Sequence, residues 1–564
     1  MRRKHVLSLF VLSMGVALLV AATTVGVAAS ATKKVSVSAA KSGGILKVNQ
    51  SAGTFDTLDP QLAYVTNDWN VLDATQMLLL NYQDKAGAAG NQIIPEAAKA
   101  FPTVSNGGKL YTYHLKSGLK FSDGSKLTAA AFQRAFERIL SPKMFAQYGI
   151  YDGLDTDIVG GQAFAGTGSF AGKPTTQHIS GIKAKGLTLQ IHLTHPVPWF
   201  ESLLSMQWFG AVKPSMPYTN SKSGLLKYAS AGPYYIASNN LNGYTILKRN
   251  PHFKMTKTWP ARSSEIQIHN LTDPDTSMLQ IQKNQIDFDL GGVPANYAGQ
   301  FHQKYGVGKK SRYHVGVTTC IDWMALNVAR GSTAIPAVRK ALNYALGRKQ
   351  LINILGPDAG TPADQALVPG LAGYKKLNIY PDNPNPAKAK SIGGSSLANS
   401  NLDLYYNGLS ATRTHQAELM QSELQAVGAK VTMDPETTGD YYGPLETKGT
   451  KYNVARAGWC ADYFDPYDYI NVNFDGRSIQ ATGNVDYFYF NSVQFNKKMD
   501  AAASKTGKAR ATAYAALDKL LNTKYVPMVA YTDDESRYFT SNKVHNWIYS
   551  IYFNGPDLNA MSAS

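Results

Sequence analysis

The chain has 564 residues, of which 44% are hydrophobic and 17% charged, and a net charge of +17. That length exceeds one hydrophobic core and points to two to four domains, while the apolar fraction excludes a disordered chain. The basic residues are scattered with no run of five, which argues against a nucleic-acid partner in spite of the charge.

The N-terminus reads as an address. Basic "MRRKH" precedes the uncharged apolar run "VLSLFVLSMGVALLVAA", and small residues follow in "VGVAASATKK". This is the layout of an export signal, with Ala29 to Ala31 as a small-x-small cleavage site. The alternative is an uncleaved anchor over Val6 to Ala29. No cysteine lies near the segment, so a lipid anchor on this stretch is not expected. Residues 32–43 form a flexible lead-in, and loss of Arg2, Arg3 and Lys4 would lower the charge to +14.

"GGILKVNQSAGTFDTLDP" begins as a strand and enters a turn. "KLYTYHL" alternates as a strand, "SDG" turns, and Phe132, Ala135, Phe136, Ile139 and Leu140 take the spacing of an amphipathic helix with Thr128 as its N-cap. Strands follow at "GLTLQIHLTHPVP", "GYTILKRN" and "SSEIQIHNL", then a helix and strand in "DTSMLQIQKNQIDFDLGG". "WMALNVA" is a strand, and "IPAVRKALNYALG" a helix with Pro336 in its first turn. "NLDLYYNG", "THQAELMQSELQAVG" and "AKVTMD" make a β-α-β unit whose helix closes at Gly428. A last helix, "KARATAYAALDKLLN", and the strand "YVPMVAYT" precede the tail. The order is mixed α/β without repeats, which suggests two α/β lobes.

"RAGWCADYFDPYDY", residues 456–469, concentrates aromatics, carboxylates and one of the two cysteines. Asp462, Asp465 and Asp468 lack the alternate-position ligands of a calcium loop, and Asp465-Pro466 is a turn signal. The chain contains no HExxH, GxSxG, Walker A, GxGxxG or CxxC pattern, so no metal, cofactor or nucleophilic set is indicated. Cys320 and Cys460, in an exported chain, favour a disulfide over two buried thiols.

Five stretches, in order, resemble the substrate-binding proteins of peptide-type ABC importers, the dipeptide/oligopeptide-binding family 5. They are "YTYHLKSGLKFSDGSKLTAAAFQRAFERI", "AGPYYIASNNLNGYTILKRNPHF", "LQIQKNQIDFDL", "MALN" with "AVRKALNYALGRKQLI", and "ARAGWCADYFDPYDYI", which is nearest to oligopeptide-binding members. The resemblance implies a two-lobed type II clamp with an extra domain on the first lobe. It implies an export signal at 1–31, a first lobe from 44–79, 201–319 and 537–564, the extra domain at 80–200, and a second lobe at 320–536. It also implies a disulfide between Cys320 and Cys460.

The implied function is an exported receptor, not an enzyme and without cofactor, that closes on a peptide and hands it to a membrane permease. It is expected to act as a monomer. Asp462 would hold the peptide ammonium, backbone groups of Gly458 and Cys460 would pair with the peptide, and Arg456 would meet its carboxylate. Trp459 and Tyr463 would exclude water, and Arg413, His415 and Lys448 are further candidate carboxylate contacts. Asp465 and Asp468 fall to turn and surface. Gly347 replaces the family's acidic neighbour of Arg348, and Ala131 replaces an acidic residue at the helix start. The alternatives are a non-peptide solute such as a sugar or nickel, and a secreted hydrolase using Asp462 and Asp465.

Overall fold

The structure is a computed structural model that describes residues 43–564 except 52–54, 56, 145, 147–152, 167–172, 220–226 and 309. The export signal and nearly all of the lead-in lie outside the described residues. No helix among the described residues is long and apolar enough to cross a membrane.

A five-stranded sheet centres on the parallel pair Ile45–Gln50 and Glu265–Asn270, and the antiparallel strands Tyr234–Asn239 and Tyr244–Arg249 extend it. Ile266, Ile268 and Asn270 alternate inward along Glu265–Asn270, the period-two pattern of a strand with one buried face. A separate four-stranded antiparallel sheet, which includes Leu110–His114 and Thr188–His192, carries the helix Ala129–Leu140. That helix buries Phe132, Ala135, Phe136, Ile139 and Leu140 as its spacing requires. Thr128 takes the N-cap position, but its side chain makes no cap hydrogen bond.

The third large sheet has six strands and includes the expected β-α-β unit. Asn401–Asn407 runs parallel to Lys430–Glu436, with the helix Ala411–Ala426 between them. Gly428 follows at φ +99°, a backbone conformation that favours residues without a Cβ.

Two strands join the cores. Tyr313–Leu326 pairs antiparallel with Met528–Phe539 from Tyr313↔Phe539 to Ala325↔Met528, with register shifts between Val317 and Ile321 and between Asp322 and Trp323. At one end Tyr313 and Phe539 pack with Met278, Ile281 and Phe301. At the other, Trp323 and Met528 pack with Tyr452, Phe488 and Leu517. The divisions expected at 319/320 and 536/537 thus fall inside continuous strands, beside a bulge that lets a ribbon bend.

Buried charges are handled in two ways. Arg138, on the Ala129–Leu140 helix, pairs with Asp59 of the "LDP" turn at 2.5 Å, both side chains fully buried. Arg348 has no carboxylate in hydrogen-bond contact. Its guanidinium donates instead to the carbonyls of Ala363, Asn343 and Pro381 and to Asn343 Oδ1, at 2.7–3.1 Å. Asp364 and Asp382 act on this charge from farther off.

Two stability measurements follow from these burials. Asp59→Ala strands the Arg138 charge and should cost about 3–5 kcal/mol in urea unfolding. Burial pushes the Glu96 and Asp518 carboxyls up to about 7 and Asp533 up to about 8. Between about pH 4 and 8 the folded chain therefore retains protons that the unfolded chain releases, and stability falls as pH rises. The urea midpoint should be lower at pH 8 than at pH 5.

Candidate ligand-binding cleft

The 456–469 segment divides into three parts. Val454–Cys460 is a strand, residues 461–465 turn, and Pro466–Phe474 is a helix with Pro466 in its first turn and Asp465 as N-cap, accepting from Tyr467 N at 2.8 Å. Cys460 lies directly across from Cys320, and the two form a disulfide, not a pair of thiols. Ala455, Ala457 and Trp459 pack into the second core beside Trp323, so Arg456, Gly458 and Cys460 take the opposite face.

That face borders a cavity of about 480 Å³, within the range of small-molecule sites. Tyr64, Thr66 and Trp69 line it from the helix Thr66–Thr75 and the residues just before it; Asp322, Arg456, Gly458, Cys460, Asp462 and Asp534 line it from the ribbon and its neighbour. Tyr442, Glu446 and Tyr487 close one side, and Trp459 presents an edge while only 7% exposed.

Among the described residues, the outer edge of the Val454–Cys460 strand has no partner strand beyond Ala455. Asn401–Asn407 pairs with it only at Leu404–Val454 and Tyr405–Ala455. The Tyr441 hydroxyl, whose ring stacks on Tyr405, donates to the Arg456 carbonyl. Arg456 therefore points its peptide groups outward, and alternation along an antiparallel strand sends those of Gly458 and Cys460 the same way. A Cβ at Gly458 would stand 2.6 Å from the Ile321 carbonyl and 2.8 Å from Asp322 Oδ1. Glycine is required there by close approach.

Asp462 is buried at the end of this edge. Its Oδ2 accepts from the Tyr64 hydroxyl at 3.0 Å, and its N–H donates to Asp468 Oδ2 at 3.1 Å. Asp468 Oδ2 also accepts from Trp459 Nε1 at 3.1 Å. The surface role expected for Asp468 is therefore corrected: it is fully buried and orients Asp462 and Trp459. Asp465 is likewise held, by Arg510 at 2.6 Å and by its cap, because the turn folds back on the helix carrying Arg510.

Arg456 pairs with Asp322, which also takes Arg413 at 3.0 Å and the Tyr531 hydroxyl at 3.3 Å. Burial pushes the Asp322 carboxyl up, but the two guanidiniums outweigh it and hold it below the usual carboxylate range. Burial, then Asp322, lift the Asp534 carboxyl well above that range, and its Oδ1 has no hydrogen-bond partner.

Other expected contacts lie elsewhere. Arg413 reaches the site only through Asp322, and His415 is exposed on the same helix. Lys448 is exposed beside a separate depression with Arg330 and Asn491. Tyr463 is 1% exposed and packs in the first-lobe core cluster with Tyr82, Trp199 and Tyr552, because the 461–465 turn inserts it there. Sequence reasoning missed Tyr64, Asp322 and Asp534. Of these, Asp322 had a signal: a lone acid inside the apolar run "CIDWMAL".

The family model for bacterial extracellular solute-binding proteins, family 5, matches residues 92–481. The chain belongs to that family. Among family-5 relatives, the nickel-binding periplasmic protein of Escherichia coli is 26% identical over 437 residues, covering 73% of this chain and 75% of that protein. The oligopeptide-binding protein OppA of Bacillus subtilis is 23% identical over 426 residues, covering 72% and 73%. Solved structures share the fold. The clavulanic acid biosynthesis oligopeptide binding protein 2 has a TM-score of 0.82 at 20% identity, covering 93% of this chain and 96% of its own. Haemophilus influenzae OppA, in complex with the peptide RPPGFSPFR, has a TM-score of 0.71 at 19% identity, covering 93% and 99%. The fold is accordingly the two-lobed type II clamp with an extra domain on the first lobe.

Gly458→Ala should destabilise the protein by about 1–3 kcal/mol, the cost of overpacking, as read from its urea midpoint.

Proposed function

We propose that the protein is an exported receptor that encloses a short peptide and delivers it to an ABC importer. The observation that carries this reading is the strand edge running past Arg456 to Cys460, which has no partner strand among the described residues and ends at the buried carboxylate of Asp462. An extended peptide can add as a strand to such an edge, with recognition through backbone and indifference to side chains. Its ammonium would meet Asp462, pre-aimed by Tyr64 and Asp468. Its carboxylate would meet Arg456, whose charge is partly offset by Asp322. Arg456 to Cys460 spans about 13 Å at the rise of a strand, which suits a peptide of three or four residues. The oligopeptide-binding relatives and peptide-bound neighbours support the same reading.

A non-peptide solute is the second reading, favoured by the nickel-binding relative. Among the described residues no histidine lines the cavity, which weighs against a nickel site of imidazole ligands. A hydrolase using Asp462 with Asp465 is disfavoured because Asp465 is taken up by Arg510 and the helix cap.

Calorimetry with a free tripeptide and its N-acetylated form tests the assignment. The free peptide should bind and the acetylated one should lose most of its affinity. Asp462→Ala should weaken binding by about 2–5 kcal/mol, the range for stranding one member of a buried charge pair. Equal affinities for the two peptides would overturn the ammonium site. Native mass spectrometry showing only a non-peptide ligand would overturn the peptide reading.

A further inference from the structure

Three carboxylates that the cleft does not use meet inside the first lobe. Asp73 is on the Thr66–Thr75 helix, Asp84 follows the Leu80–Tyr82 strand, and Asp557 lies in the C-terminal segment. One oxygen of each lies within 4.8 Å of the others. They are only 7%, 8% and 2% exposed. Acidic groups at this spacing are unremarkable on a surface, where water screens them; buried, they repel strongly. Arg262 is the cation that acts on Asp84 and Asp557. Glu96 acts on Asp73 and Asp84 as well, so acids outnumber the one guanidinium here.

Unused acceptor oxygens mark the same place. Asp84 Oδ2 is buried without a hydrogen-bond partner. Asn559 donates its Nδ2 to Asp73 Oδ2 at 3.2 Å, and Gln207 donates its Nε2 to Asp73 Oδ1 at 3.3 Å. The amide oxygens of both, Asn559 Oδ1 and Gln207 Oε1, are buried and unpartnered although each residue is 1% exposed. Asp557 is aimed by the N–H groups of Asn559 and Ala560, which donate to its Oδ1 at 2.9 and 3.1 Å. Burial first, and then mutual repulsion with neighbouring acids, lift the Asp73 and Asp84 carboxyls well above the usual range.

We propose that Asp73, Asp84 and Asp557 form a calcium site, in which the Asn559 and Gln207 amides fix Asp73 by donating to it. The donor set is oxygen alone. Hard oxygen donors suit calcium, which accepts six to eight of them in flexible geometry, whereas zinc and copper favour nitrogen and sulfur. A divalent ion would offset this excess of acids. It also ties the C-terminal segment to a helix whose other end presents Thr66 and Trp69 to the cleft. The ion is a staple of the first lobe and takes no part in holding the ligand.

The test uses the full exported chain, stripped with EDTA and titrated with calcium chloride at pH 7.5. One calcium per chain is expected by calorimetry and by elemental analysis, with the unfolding temperature rising by roughly 3–5 °C at saturation. Uptake should disappear at pH 4.5, where protons replace the ion, and in Asp84→Asn, which keeps the side chain's size. If that variant fails to fold, the wild-type titration still decides. No calcium uptake and no shift in unfolding temperature at pH 7.5 would overturn the site and leave shared protons as what holds the three carboxyls together. Tighter binding of zinc or magnesium than of calcium would overturn the choice of ion.

Discussion

Tyr313–Leu326 and Met528–Phe539 belong to three hydrophobic cores at once, and the cleft lies along them. A ribbon of two paired strands is stiff along its length but twists at a bulge. Here the register slips between Val317 and Ile321, directly before Cys320. The disulfide then fastens the neighbouring strand at Cys460 to that point. The Asn554 side chain, from the C-terminal segment, holds Thr319 by accepting from its N–H at 2.7 Å. The bulge is thus clamped by the C-terminal segment and by the disulfide, and the cavity opens beside it.

The acids around this crossing differ in their partners. Asp322 is neutralised by Arg456 and Arg413, and the close packing at Gly458 leaves that group no room to move. Asp468 is committed to the Asp462 N–H and the Trp459 indole. The Asp462 carboxylate lies at the end of the Val454–Cys460 strand and accepts from the Tyr64 hydroxyl.

Much of this was legible in the chain. The 3.6-residue spacing of Phe132, Phe136 and Ile139 and the Gly428 stop are local signals, and both elements formed where they were read. The cysteine pairing was legible because two cysteines admit one intrachain bridge. Misreadings came where fate depends on what lies across space. Asp468 looked like a polar surface residue because its partners, Trp459 Nε1 and the Asp462 N–H, meet it only after the turn closes. Tyr463 neighbours Asp462 in sequence, yet the same turn sends it into the first-lobe core.

By itself the sequence determined the α/β class, the helix stops and the cysteine bridge, because each rests on local spacing, on motifs kept in order or on there being only two cysteines. Tertiary structure alone decided which carboxylates are exposed, paired or stranded. Asp322 meets Arg413 across 91 positions, and Asp73 meets Asp557 from opposite ends of the chain. Burial raises the free energy of an ionised group until a partner arrives, and whether one arrives is a property of packing, which no spacing along the chain records.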